Sequence, residues 1–328
     1  MTSRQATHAG SWYSSDPDTL DRELQGWLGR VPSEVAEVVP PDGRCVVPVK
    51  GARAIIGPHA GLSYSGSNAA YGYRCIDADR VRRVFLLGPS HHVYLEKCAL
   101  SLCDEYETPL GSIAIDRAMV AELQSKGDWQ SMSAETDEDE HSLELHLPYI
   151  YKTFERRIDE VKLVPIMVGN LRFKAEQYYG ELLAPYLADE QNLFVVSSDF
   201  CHWGSRFNYT IYKGGDGAAP ETLRGASVRP AGIPIWESIQ RLDYAGMAAI
   251  ARLDHAAFER YLKDTRNTIC GRHPIGVLLA AVNTLYPVGA QDSAGPALRF
   301  VKYDQSSKVH RPSDSSVSYA SAYLQLPS

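Results

Sequence analysis

The sequence lacks the features that mark proteins bound to nucleic acids or membranes. It has 33 Lys and Arg residues against 40 Asp and Glu residues, a net charge of −7, and no long Lys/Arg cluster. A nucleic-acid-binding surface needs such a cluster, and so does attraction to an anionic bilayer. No apolar run approaches the roughly 20 residues that cross a bilayer. We therefore predict neither a nucleic-acid partner nor a membrane span.

Paired cysteines are also missing. The six cysteines are scattered along the chain, without the CxxC spacing of zinc sites, at positions 45, 75, 98, 103, 201 and 270. Residues 1–14 contain no apolar segment of the kind found in secretory signals. We therefore expect reduced thiols and a cytoplasmic location, with the nucleus as an additional compartment.

Hydrophobic residues make up 44% of the 328 positions and charged residues 22%, as in an ordinary soluble protein. Apolar strand-like runs alternate with helical patterns, which predicts a three-layer α/β/α sandwich around a mixed, largely parallel sheet. Two segments, 31–51 and 213–233, are rich in Gly, Pro and small residues. We predict a surface loop or hairpin insertion for the first and a flexible insertion for the second.

Histidines follow three of the predicted strands directly. The run Val84–Leu87 ends at Gly88-Pro89 and is followed by His91, and a similar run at 53–56 ends before His59. The run 193–196 is followed by Asp199 and His202. Ligands of open α/β sheets bind beyond the carboxyl ends of the strands. If these strands are parallel neighbours, the four side chains converge on one cleft.

Cys270 precedes a mostly apolar helix that we expect Pro274 to open. A helix N-terminus lowers the pKa of a thiol, and the nearby Arg272 and His273 would add to that effect. Two neutral imidazoles and a thiolate form a plausible site for one metal ion, with thiolate favouring copper or zinc. Asp199 offers a carboxylate instead, as in Fe(II) oxygenases with two His ligands.

Other residues near these motifs allow two interpretations. The acidic run 137–140 precedes a helical pattern, which favours a solvated helix start. His141 and Glu144 share a helix face, so they belong either to buried hydrogen-bonded pairs or to a metal site. Trp12 is either a core residue or part of a pocket mouth. Tyr64 lies in a predicted loop, 61–66, beside His59, with a helix starting at Ser67.

Taken together, these motifs resemble the Memo family, the mediators of receptor-tyrosine-kinase-driven cell motility. The resemblance extends in order over nearly the whole chain and rests on these segments: HAGSWY (8–13), RAIIGPHAG (53–61), VFLLGPSHH (84–92), TDEDEHSLELHLPY (136–149), LFVVSSDFCHWG (193–204), NTICGRHPIGVLL (267–279) and DSSVSYA (314–320). The segments 31–51 and 213–233 look longer than in the animal proteins. The resemblance implies a single domain over residues 1–328.

The resemblance also implies a fold and a site. The fold would be similar to that of class III extradiol dioxygenases, whose two His and one Glu ligands to iron match His59, His91 and Cys270. His202 matches the acid/base histidine of those enzymes, and Asp199 lies beside it. The implied cofactor is copper or iron, with zinc less favoured. Trp12, Tyr64 and His202 match residues of a phosphotyrosine-peptide site.

Four functions are therefore open at this stage. The first is a Memo-like metal-binding protein with a redox or signalling role in cell motility. The second is a scaffold that binds phosphotyrosine or acidic peptides without catalysis. The third is a metal-dependent oxidoreductase or dioxygenase, which the change from Glu to Cys puts in doubt. The fourth is a cysteine hydrolase that pairs Cys270 with His202 or His273.

Overall fold

The computed structural model describes residues 2–41, 43–225, 232–289 and 295–327. Within these residues the chain forms sixteen strands: β1 Ser3–Arg4, β2 Glu34–Ala36, β3 Arg44–Val46, β4 Ala52–Gly57, β5 Arg83–Pro89, β6 Ala99–Leu100, β7 Glu105–Thr108, β8 Gly111–Ala114, β9 Gln130–Ser131, β10 Lys162–Val168, β11 Asn192–Ser197, β12 His202–Trp203, β13 Ile211–Tyr212, β14 Glu221–Thr222, β15 Ala297–Gln305 and β16 Ser316–Gln325.

The same residues form ten α-helices: α1 Pro17–Arg30, α2 Leu62–Arg74, α3 Arg117–Lys126, α4 Ala134–Asp139, α5 His141–Glu144, α6 Leu147–Phe154, α7 Phe173–Ala188, α8 Ile235–Ala251, α9 His255–Thr265 and α10 Arg272–Leu285. Several helices begin at a side-chain cap that the sequence shows. Asp16 accepts a hydrogen bond from the Thr19 N–H, and Asp254 accepts one from the Ala257 N–H. Each cap satisfies a donor of the first helical turn.

A mixed sheet of nine strands forms the centre of the described structure, in the order β12-β16-β4-β11-β5-β10-β6-β9, with β15 paired to β16. Strands β4, β11, β5 and β10 are parallel to one another, whereas β16 is antiparallel to β4. Every residue of β4 and β11 is buried, as expected for strands covered on both faces. The prediction of a mixed, largely parallel sheet is confirmed.

Helices cover the two faces of this sheet. Helices α7 and α10 pack on each other and against β11, while α2 packs against β4 and β16 and is covered by α1. This arrangement confirms the α/β/α sandwich. It also places the carboxyl ends of β4, β11 and β5 next to one another, because β11 pairs with both neighbours. The prediction that these strands are parallel neighbours is therefore confirmed.

Three predicted boundaries differ from the structure. Helix α2 begins at Leu62, so most of the predicted loop 61–66 is helical, because the Leu62 N–H donates to the Trp12 carbonyl and is satisfied without a side-chain cap. Helix α10 begins at Arg272, two residues ahead of Pro274. The acidic run does not start a solvated helix: it ends α4, and two of its members are buried.

The two predicted insertions contain regular structure. Segment 31–51 holds the antiparallel pair β2–β3, as the hairpin prediction requires. Segment 213–233 holds β14, which pairs with β13, and its residues 226–231 lie outside the described part. Their lengths relative to animal proteins, and the single-domain organisation, stay predictions. No helix in the described ranges is long and apolar enough to cross a bilayer.

Candidate metal centre

The edge of the sheet at β4, β11 and β5 gathers two imidazoles and a thiol. His59 and His91 follow the ends of β4 and β5, and Cys270 comes from the loop before α10. The Sγ atom of Cys270 lies 3.1 Å from Nε2 of His59. One ligand atom from each of the three residues lies within 4.8 Å of the other two. The structure thus brings together three residues that are distant in sequence.

The ring of His59 is held so that Nε2 is free to bind a metal. Its Nδ1 lies 2.6 Å from the hydroxyl oxygen of Ser197, and that hydroxyl donates to the Ser142 carbonyl at 2.7 Å. Because the only hydroxyl proton of Ser197 is used, Nδ1 must be the donor to it. Nε2 then carries the lone pair. Burial lowers the pKa of His59, which favours the neutral ring.

The ring of His91 is held by a carboxylate that the sequence analysis assigned to solvent. Nδ1 of His91 lies 2.9 Å from Oε1 of Glu140, and the His91 N–H donates to Oε2 at 2.6 Å. Burial opposes a charge on His91, but hydrogen bonds with Cys270 and Glu140 outweigh it and raise the pKa to about 10. Burial acts against Glu140 ionisation too, yet the His91 bond lowers the Glu140 pKa to about 2.

Metal-binding histidines usually donate their second ring N–H to a carboxylate or carbonyl, and this fixes the tautomer. Glu140 was missed because an acidic run ahead of a helix is normally exposed. The available signal was its position directly before α5, where its side chain accepts from the Ser142 N–H as an N-cap.

The thiol of Cys270 does not have the lowered pKa that is expected of a cysteine at a helix N-terminus. Burial raises the pKa of Cys270, and the opposing hydrogen bond from His91 does not offset it. His273 contributes nothing there, because its two ring nitrogens bond Glu176 at 2.6 Å and Asn170 at 2.9 Å. The structure therefore gives no support to a Cys270–His273 hydrolase pair.

Asp199 lies next to the site, and its carboxylate binds the backbone of His59. Its Oδ1 accepts the His59 N–H at 2.9 Å and the Ala60 N–H at 3.3 Å. Burial raises the pKa of Asp199 to about 7. Within the described part of the chain, the group of possible metal ligands that includes His59 contains His91 and Cys270 but not Asp199.

His202 lies near this cluster with one nitrogen available. Its Nδ1 is 2.9 Å from the Phe200 carbonyl and 3.2 Å from the Thr268 carbonyl. Carbonyls only accept, so Nδ1 carries the proton and Nε2 can accept one. Burial lowers the pKa of His202, which keeps the ring neutral. These properties suit an acid/base residue, and that role stays a prediction.

A stack of three rings forms one wall of the site. His141 lies between Trp12 and His91, with ring centroids 4.4 Å from each. Burial lowers the pKa of His141 to about 3, so this ring is neutral. Trp12 is 37% exposed and Tyr64, in the first turn of α2, is 68% exposed. Trp12 is thus partly exposed beside the site rather than buried in the core, and its place at a pocket mouth stays a prediction.

His141 and Glu144 have separate partners, although they share the short helix α5. Glu144 binds the N-terminal segment: it accepts the His8 N–H at 2.9 Å and the Tyr13 hydroxyl at 2.7 Å, and it pairs with Arg4 at 2.8 Å. Arg4 is fully buried and also donates to the Glu140 carbonyl at 3.1 Å. The N-terminal residues therefore hold the segment that carries Glu140.

A groove of about 520 Å³ leads from the surface to His91 and Cys270. Arg272 and Tyr94 are among the residues that line it. The donor set at its inner end fits a metal ion, since both imidazoles present Nε2 and a sulfur lies within reach of both. Imidazole and thiolate together suit copper, iron or zinc.

Comparisons with known proteins match nearly the whole chain to one family. A family model described as "Memo-like protein" matches residues 4–323. Protein MEMO1 of Danio rerio is 46% identical over 324 residues, which cover 99% of this chain and 98% of that protein. Protein MEMO1 of Homo sapiens is 46% identical over 323 residues, covering 98% and 97%. Protein memo-1 homolog of Caenorhabditis elegans is 41% identical, covering 98% and 82%.

A solved structure of low sequence identity is among those that are similar to this chain. It is described as "Crystal structure of uncharacterized protein JW3007 from Escherichia coli K12", with 12% identity and a TM-score of 0.42, and the match covers 82% of this chain and 99% of that one. A likeness of that size supports no statement about fold or function. The relation to the extradiol dioxygenases therefore stays a prediction.

Proposed function

This chain belongs to the Memo-like protein family, and from that premise we propose that it binds one copper or iron ion through His59, His91 and Cys270. The observation that carries the proposal is the shared geometry of the three ligand atoms, which lie within 4.8 Å of one another. The hydrogen bonds of Ser197 and Glu140 support it, because they leave Nε2 of both rings free. Zinc fits the donors as well and is less favoured by the family resemblance.

We infer further that the bound ion serves a redox role in signalling linked to cell motility. Copper or iron would supply one-electron chemistry, and a thiolate ligand is itself oxidisable. The residues contribute binding and orientation: Asp199 holds the backbone of His59, and His202 offers a neutral nitrogen that can take up a proton. The family resemblance alone supports the link to motility and a single domain, whereas a cytoplasmic or nuclear location is proposed from the scattered, unpaired cysteines.

Metal quantification tests the binding proposal directly. Tag-free protein is reconstituted anaerobically with Fe(II) or copper, desalted, and analysed by inductively coupled plasma mass spectrometry and electron paramagnetic resonance. We expect about one ion per chain in the parent and a loss of at least tenfold in affinity for His59→Ala, His91→Ala and Cys270→Ser.

The chain offers matched controls for these variants. His92 is the exposed neighbour of His91, and Cys201 is a buried thiol in the second, smaller core. His92→Ala and Cys201→Ser should keep the parent's metal content. Equal metal content in the ligand variants and these controls would refute the assignment. For the signalling role, the Cys270→Ser variant should fail to restore migration in cells that lack their Memo protein, whereas Cys201→Ser should restore it.

A second candidate function is peptide binding at the pocket mouth. Two exposed aromatic side chains, Trp12 and Tyr64, favour it, because such residues anchor peptides at low entropic cost. A phosphotyrosine peptide and its unphosphorylated form would be titrated against the parent, Tyr64→Ala and Tyr178→Ala. Tyr178 is also exposed but lies on α7. Binding that needs the phosphate and Tyr64, but not Tyr178, supports this function. Binding unaffected by Tyr64→Ala speaks against it.

A further inference from the structure

Two cysteines outside the candidate metal centre lie side by side. Cys45 is in the middle of β3, and Cys75 directly follows the last residue of α2. The Val49 N–H donates to the Cys75 carbonyl at 2.9 Å, which holds the chain after β3 against the end of α2. Both thiols are free and buried. The pair lies near the start of β4, whereas His59 follows the end of that strand.

The two thiols are neighbours, and each has the largest effect on the pKa of the other. The Sγ atom of Cys75 also lies 3.2 Å from the Tyr71 carbonyl oxygen, so its position is fixed by the helix. Tyr323 contacts Cys45, and its hydroxyl donates to Glu37 at 2.7 Å. The contact with Cys75 lowers the pKa of Cys45, while the same contact raises that of Cys75. Cys45 is therefore the better nucleophile of the two.

Neither residue has a part in the proposed metal site, and two neighbouring thiols need little movement to form a covalent bond. Cys45 also belongs to a small two-stranded unit, β2–β3, with exposed neighbours on either side of it. Local opening of such a peripheral hairpin costs less than global unfolding and would admit a small oxidant.

We propose that Cys45 and Cys75 form a redox modification site, which a peroxide converts into an intramolecular disulfide. The Cys45 thiolate attacks one peroxide oxygen, the O–O bond breaks, and a sulfenic acid and water form. The Cys75 sulfur then attacks the sulfenic sulfur, and a second water leaves. In total, two thiols and one hydrogen peroxide give one disulfide and two waters. A dithiol reductant reverses the change by thiol–disulfide exchange.

The bond would close a ring that contains all of β4, His59 and all of α2. It would tie the β2–β3 hairpin to the end of the helix that carries Tyr64. A cross-link of this kind restricts the unfolded chain, so the oxidised protein should unfold at a higher temperature.

Peptide mapping tests the proposal on the full chain. Chelator-treated protein is exposed to hydrogen peroxide, alkylated under non-reducing conditions and digested with trypsin. Cleavage after Arg44 and Lys50 releases Cys45–Lys50, and cleavage after Arg74 and Arg80 releases Cys75–Arg80. We expect these two peptides to appear joined, two hydrogens lighter than their sum, and to separate after reduction with dithiothreitol.

Single substitutions complete the test. Cys45→Ser and Cys75→Ser should each abolish the joined peptide, whereas Cys103→Ser, which removes another buried thiol, should leave it unchanged. In the parent, oxidation should raise Tm by several degrees, reversibly, and in Cys75→Ser it should not.

Two results would overturn the proposal without any variant. The first is the finding that Cys45 and Cys75 are both still alkylated at a peroxide concentration that fully oxidises Cys270. The second is a disulfide that forms preferentially between Cys98 and Cys103, which lie in one tryptic peptide. A joined peptide with an unchanged Tm would overturn the stabilising role of the bond.

Discussion

Replacing Glu140 by Gln should weaken metal binding although the side chain touches no metal ligand atom. Oε1 of Glu140 accepts the Nδ1–H of His91 at 2.9 Å and the Ser142 N–H at 2.8 Å, while Oε2 accepts the His91 N–H at 2.6 Å. An amide has only one oxygen. If that oxygen takes the place of Oε1, the new NH₂ group faces the His91 N–H, donor against donor.

The expected loss of metal affinity can be worked out from these hydrogen bonds. One hydrogen bond to a charged group is lost, about 1.5–3 kcal/mol in mutational series. The carboxylate's support for the basicity of Nε2 is lost as well. Removal of such partners typically costs 10–100-fold in metal affinity, roughly 1.4–2.7 kcal/mol. The two ranges overlap, so we expect a loss of about 2 kcal/mol, or roughly 30-fold.

A competition titration against a chelator of known affinity measures this loss. Asp139→Asn is the matched control, because Asp139 is the exposed neighbour of Glu140 in the same acidic run. The control should bind metal as the parent does. An unchanged affinity in Glu140→Gln, in protein whose circular dichroism is that of the parent, would refute the role given to Glu140. An equal loss in Asp139→Asn would refute it too.

Three further results are expected. The stability difference between metal-free parent and Glu140→Gln in urea should be largest between pH 4.5 and 6.5, on the order of 3 kcal/mol. It should shrink as the pH falls through 2, where Glu140 is protonated, and as it rises through 10, where His91 loses its proton. At pH 7.5, metal binding should release protons from His91 and Cys270, and fewer in Cys270→Ser than in the parent, as counted by calorimetry in buffers of different ionisation enthalpy. Arg4→Met should destabilise the protein by about 3–5 kcal/mol, because it leaves Asp137 and Glu144 buried without their cation, whereas the exposed Arg44→Met should change stability little.

The central strands could be predicted from the sequence because their composition leaves few alternatives. Uninterrupted apolar runs that end in Gly-Pro or Ser-Ser-Asp suit strands buried on both faces, and those runs became β4, β5 and β11. The order of the strands is a different matter. Strand β11 lies between β4 and β5 although it follows both in sequence, and in this order the rings of His59 and His91 are in contact, with centroids 5.1 Å apart.

The start of α2 shows where local patterns fail. Gly and Ser residues at 61–66 are typical of a loop, and the cap residue Gly61 has no side chain to offer. The helix nevertheless begins at Leu62, because the Trp12 carbonyl accepts its first N–H at 2.9 Å. A backbone group 50 positions earlier in the chain thus performs the function of a cap.

The candidate ligands were easier to predict than the groups that orient them. Residue type and position after a strand or before a helix are enough to select His59, His91 and Cys270 as candidate ligands. Which ring nitrogen each histidine presents depends on Ser197 and Glu140, which are 138 and 49 residues away in sequence. Glu140 is in turn held through Arg4, 136 residues earlier. A carboxylate in an acidic run looks solvated until the fold supplies an imidazole and backbone N–H groups to bind it. The metal-binding competence proposed for this site is therefore a property of the hydrogen-bond network around the ligands, and substitutions in that network should alter affinity without removing a ligand.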